Sequence, residues 1–158
     1  MTFARQFLHA FGNASALVGF VTDDFPIGSW QKRSIDGVEY DFFALFSEPK
    51  SAKKPLIPRR LRVYFNLIKY RKKILEYEAE LTVTRSPEVI VPISKWGYKK
   101  LVFYFAGTGN PLAISRRWYG RRLARFYDRF FFPSLAHVDT ILAAADKENI
   151  ADTIKRSA

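Results

Sequence analysis

Five apolar residues, Leu101 to Phe105, pass through Ala106 into Gly107, Thr108, Gly109 and Asn110, and from there into a segment dense in arginine. A short run of branched and aromatic residues reads as a strand buried on both faces. Such a strand needs cover above and below, which restricts the chain to a layered fold with helices against a mostly parallel sheet. Gly107 and Gly109 allow either sign of φ and leave backbone amides uncovered by side chains. Pro111 and Ser115 mark a turn and an N-cap, so a helix is predicted from Arg116 to about Phe132, with Pro133 kinking or ending it. Its apolar side is expected to carry Tyr119, Leu123, Phe126, Tyr127 and Phe130. In open α/β sheets, ligands bind where a loop leaves the carboxyl end of a strand and opens a helix. Free amides there favour an anion, and Arg116 and Arg117 add formal charge. Gly107, Thr108, Gly109, Asn110, Arg116 and Arg117 are therefore the candidate site for a phosphate or sugar, against the plainer reading of a strand-to-helix connection.

The rest of the chain alternates in the same way. Phe3, Phe7, Leu8 and Phe11 recur at helical spacing and Gly12 follows, which predicts a helix over 2–11. Ala16 to Thr22 reads as a buried strand ended by Asp23, Asp24 and Pro26. Phe25 to Asp36 has no clear period and reads as a loop, followed by a strand from Val38 to Phe43. Ser47 to Pro58, rich in Lys, Pro and Ser, reads as an exposed linker. Arg59 to Tyr77 is the clearest helix, with Leu61, Phe65, Ile68 and Leu75 on one face. Leu81 to Thr84 is a short strand. Ser86, Pro87 and Glu88 predict a helix start, with Ser86 as its cap, running to about Trp96 and stopping at Gly97. Thr140 to Ala144 is a strand and residues 147–155 a closing helix. Helices alternating with strands make βαβ units and a mostly parallel sheet, an α/β fold in one domain.

Charge is placed unevenly. Of the 158 residues, the first 54 hold six basic and six acidic side chains, so the net charge of +11 comes entirely from the remainder. Such asymmetry points to anionic partners: phosphate, nucleic acid or lipid headgroups. Arg59, Arg60, Arg62, Lys69 and Lys73 on one helix, and Arg121 and Arg122 on another, form a candidate anion or membrane surface. Against this, Leu61, Phe65 and Ile68 are expected to pack into the core, leaving the charges solvated. The chain has no cysteine and only two histidines, His9 and His137. That excludes thiolate metal sites and disulfides and argues against a histidine triad, so no metal is expected. No apolar run approaches the ~18 residues of a membrane span.

Taken in order, these segments resemble the N-terminal, acceptor-side domain of family-four glycosyltransferases, retaining enzymes of the GT-B type with two facing Rossmann-like domains. Leu81 to Glu88 is similar to the family's strand and helix start. Leu101 to Arg122 is similar to its strand, small-residue loop and basic helix. Val138 to Ala145 is similar to its late strand, with Asp139 ahead of the apolar residues. The resemblance implies that the α/β fold is Rossmann-like and doubly wound. It further implies an acceptor site at the loop glycines and a nucleotide sugar as donor substrate, held by a second domain, with no cofactor. It also implies a cytoplasmic chain, with peripheral contact to the inner face of the membrane as an option. The position before the loop glycine, often His in the family, is Ala106, so no catalytic residue is carried over. The family domain opens with a strand and glycine turn ahead of the helix at residues 2–11, so the chain reads as an incomplete domain lacking its first, central strand. Ala16–Thr22 and Leu81–Thr84 would then face a gap of about two strand spacings, ~9.5 Å.

Three functions compete at this stage. One is the acceptor-binding half of a glycosyltransferase passing a sugar to an acceptor hydroxyl, anionic or lipid-linked, and inactive without its donor domain. The alternative is a non-catalytic nucleic-acid or polyanion-binding domain using the same basic helices. A further Rossmann-like nucleotide binder is disfavoured by the lack of a Gly-x-Gly-x-x-Gly turn.

Overall fold

Apolar runs and turn chemistry account for most of the backbone in the computed structural model, which describes residues 3–49, 57–105 and 120–143. The chain divides into two compact units, Met1–Tyr77 and Glu78–Ala158.

In the first unit, helix α1 (Phe3–Phe11) stops at Gly12, whose φ of 58° few other residues adopt. A single 3-10 turn leads into β1 (Ala16–Val21). Strand β2 (Trp30–Ile35) and strand β3 (Val38–Ser47) form an antiparallel hairpin, and β1 pairs in parallel with the other side of β3, giving the order β1-β3-β2. Helix α2 (Arg59–Leu75) follows. β3 is buried on both faces. Tyr40, Phe42 and Ala44 form a core with Leu8 of α1, while Phe43 meets Tyr70 of α2 at 5.6 Å and Trp30 at 5.2 Å. The Trp30 indole N–H donates to the Lys73 carbonyl and the Lys73 ammonium to the Gly28 carbonyl, which fastens α2 to the sheet at its far end.

The hairpin corrects the expectation of a loop over 25–36. Asp36 and Gly37 both have positive φ, 54° and 81°, and Ile35 pairs with Val38 across them. An Asp-Gly pair is suited to this two-residue turn, whose twist matches that of the strands. Trp30 to Ile35 has no apolar run because β2 is an edge strand, with Gln31, Lys32 and Ser34 exposed.

The second unit contains β4 (Thr82–Thr84), α3 (Pro87–Ile93), β5 (Leu101–Phe105), α4 (Gly120–Leu135) and β6 (Thr140–Ala143). The sheet is parallel throughout, in the order β4-β5-β6. Leu101, Val102 and Phe103 are buried, as the apolar run required, and Phe103 meets Phe131 of α4 at 5.8 Å. Ile90 and Ile93 of α3 are also buried. Ser86 stands at the α3 N-cap with extended backbone, but its hydroxyl makes no cap bond, contrary to the sequence reading. α4 continues through Pro133 to Leu135, with the Ser134 hydroxyl donating to the Phe130 carbonyl.

The fold is thus α/β, with one mixed and one parallel three-stranded sheet. Among the described residues, β1 lies at an edge of the first sheet and β4 at an edge of the second. The helix predicted over 147–155 lies outside the described residues.

Candidate functional site

Parallel strands expose two rims, and the carboxyl rim is the one that meets loops and helix N-termini. In the second unit, β5 lies between two parallel neighbours and ends at Phe105. Gly107, Thr108, Gly109, Asn110, Arg116 and Arg117, which follow it, lie outside the described residues. So do the side chains of Arg121 and Arg122, although their backbone belongs to α4. The opposite, amino rim has a structural acid. The Asp139 carboxylate accepts the Leu101 amide at 2.7 Å, and the Asp139 amide donates to the Leu101 carbonyl at 3.0 Å. That double tie fixes the start of β5 against β6.

In the first unit the carboxyl rim is built from described side chains. The Glu48 amide donates to Val21 at 2.8 Å, joining the ends of β1 and β3. Phe20 and Phe46 stack there with ring centres 5.7 Å apart. The Arg59 guanidinium lies 4.5 Å from the Phe20 ring centre and that of Arg62 4.0 Å from Phe46. Arg59 donates twice to the Glu48 carboxylate, at 2.9 and 3.1 Å, and Arg62 approaches it at 3.7 Å while donating to the Ser47 carbonyl. The fork from Arg59 holds the Glu48 carboxyl below the usual carboxylate range, and Glu48 in turn raises Arg59. Two guanidiniums over two stacked rings, sharing one acid, can grip a planar or anionic group only by competing with Glu48.

Beside this cluster, Asp23 is bound by Arg33 at 2.7 Å, and Arg33 covers the rings of Phe25 and Phe42. Tyr40 is buried, and that burial raises its phenol above the ordinary value, with Arg33 pulling the other way. Asp23, expected only to end the first strand, is also an ion-pair partner that anchors β2. Sequence reading missed Glu48, which falls in the stretch read as linker. The available signal was a single acid ahead of a basic helix.

Among the basic residues singled out on α2, Arg59, Arg62 and Lys73 bond to Glu48, Ser47 and Gly28 and so hold the helix to its sheet. Arg60 and Lys69, like Arg59 and Lys73, are exposed, with the Lys69 ammonium 4.9 Å from the Tyr70 ring centre. Leu61, Phe65 and Ile68 are not in the core: they are 49%, 57% and 49% exposed, and Leu67 and Ile74 are buried in their place. α4 shows the same reversal, with Phe126 and Phe130 64% and 48% exposed and Ala124, Phe131, Phe132 and Leu135 buried. His9 and His137 are both exposed, and no group of metal-ligating side chains occurs among the described residues. No helix among them is long and apolar enough to cross a membrane.

What is defined, then, is an α/β chain whose first unit has a carboxyl rim of basic and aromatic character. No protein-family model matches the chain, and neither a curated protein nor a solved structure matches it significantly.

Proposed function

We propose that the chain is the acceptor-binding part of a sugar transferase, in which a nucleotide sugar passes its sugar to an acceptor hydroxyl. The observation that supports this most directly is the setting of β5. It is the middle strand of an all-parallel sheet, and its carboxyl end leads into Gly107–Asn110 and then, past Arg116 and Arg117, into α4. Glycines that follow such a strand leave backbone amides uncovered and the arginines next in the chain add positive charge, a composition suited to a phosphate-bearing sugar acceptor. In this reading the fold is Rossmann-like and doubly wound.

Equilibrium titration of the chain with a hexose phosphate, a sugar diphosphate and polyuridylate tests the reading. The sugar phosphates are expected to bind, and Gly107→Val or Gly109→Val to weaken them about tenfold or more by covering the amides. Sugar-phosphate affinity indifferent to both substitutions, or binding of polyuridylate alone, overturns it; the latter result favours the polyanion-binding alternative.

A further inference from the structure

We propose that the outward face of α2 docks in the plane of a lipid bilayer with anionic headgroups. This inference does not depend on sugar transfer. α2 is apolar on two opposite sides. Leu67, Tyr70 and Ile74 form the side turned to β3, and Leu67 and Ile74 are buried there. Leu61, Phe65 and Ile68, spaced i, i+4, i+7, form a second stripe along the solvent side, each about half exposed. A helix that only covers a sheet keeps polar residues outward; three large apolar side chains in one outward row have no such account.

The surroundings of the stripe select the partner. α2 has seven Lys and Arg residues and no acid. Exposed Lys69 flanks the stripe on one side and exposed Arg71 on the other, with exposed Lys72 a turn beyond Ile68. The inward cations Arg59, Arg62 and Lys73 are held by Glu48, Ser47 and Gly28, so the helix remains fastened to its sheet while the outer face is engaged. Nucleic acid would use the cations but gain nothing from Leu61, Phe65 and Ile68 at the centre of the face. An apolar protein groove would use the stripe and leave the lysines to be desolvated. A bilayer interface uses both, taking the apolar row to the acyl boundary and leaving the long cationic side chains at the phosphates. The row spans about two helical turns, ~10 Å, and calls for no shaped pocket.

The absence of cysteine allows one reporter to be placed at will. Phe65→Cys carrying an environment-sensitive fluorophore is expected to shift to shorter wavelength on adding phosphatidylglycerol-containing vesicles. Pure phosphatidylcholine should give little shift, and Glu39→Cys, near the hairpin turn, none. Leu61→Ser with Phe65→Ser and Ile68→Ser should lower vesicle partitioning about tenfold or more while the chain stays folded with only a small fall in its thermal melting, since these side chains are half exposed. Lys69→Glu with Lys72→Glu should lower it about tenfold as well. Three results overturn the proposal: no shift at position 65 while the chain still sediments with vesicles, equal binding to neutral and anionic vesicles, or loss of binding on charge reversal alone with the triple serine variant unaffected. The last is the behaviour of a polyanion binder.

Discussion

Gly28 shows how a single backbone position couples the hairpin to a helix. Its φ is +76°, and a Cβ built there would lie 2.7 Å from Cε1 of Tyr70, whose ring is in turn packed on Phe43. Both the backbone conformation and the space exclude a side chain. Gly28→Ala is therefore expected to destabilise the chain by about 2–4 kcal/mol, read as a lowered midpoint in urea unfolding, because Tyr70 must leave its place against the sheet. Tyr98 in the second unit offers a pH test. Burial pushes its phenol from 10.0 up to about 12, so the folded chain keeps a proton that the unfolded chain releases. Stability from this group is fully present below pH 10 and is lost as pH rises from 10 to about 12, by about 3 kcal/mol in total. Tyr98→Phe should flatten that part of the stability curve and leave the rest unchanged.

At the scale of elements, β3 is the centre of the first unit, with Phe43, Ala44 and Leu45 fully or almost fully buried and strands on both sides. Its amides should be the slowest in that unit to exchange with deuterium, and those of β1 clearly faster, because among the described residues β1 is bonded along one flank only. Equal protection along both strands would mean that the outer flank of β1 is covered. The strands with apolar runs, Ala16–Val21 and Leu101–Phe105, were legible in the sequence within a residue or so, and so was α2. Leu101–Phe105 has the local signature of burial on a sheet, whereas Ala16–Val21, expected to be a buried strand, has only Val21 buried and Val18 41% exposed, because it is an edge strand among the described residues. β2 was not legible by that route, since this edge strand exposes Gln31, Lys32 and Ser34 and has no apolar run; the Asp36-Gly37 turn was the stronger signal. The loop glycines of the candidate site are a reading of the strand-loop-helix pattern and lie outside the described residues, whereas the Glu48–Arg59–Arg62 cluster joins residues that only the fold brings together.

For the molecule as a whole, periodicity reports that a helix has apolar faces but not which of them turns inward. α2 has two, and packing chose Leu67, Tyr70 and Ile74 over Leu61, Phe65 and Ile68. α4 repeats the case, with Phe131 and Leu135 inward and Phe126 and Phe130 outward beside exposed Arg125 and Arg129. The charge excess of the later part of the sequence thus stands beside exposed aromatic and aliphatic surface on both helices, a combination that solvation alone does not call for. The two edges of the β1-β3-β2 sheet are also unlike. On the β2 side, Lys32 and its polar neighbours guard against stray strand pairing. The β1 side presents Ala-Leu-Val-Gly-Phe-Val, without a charge or a proline. Fibril growth in a stored sample would therefore start from that flank, and a lysine at Val18 should lengthen the life of the preparation more than any change to the hairpin.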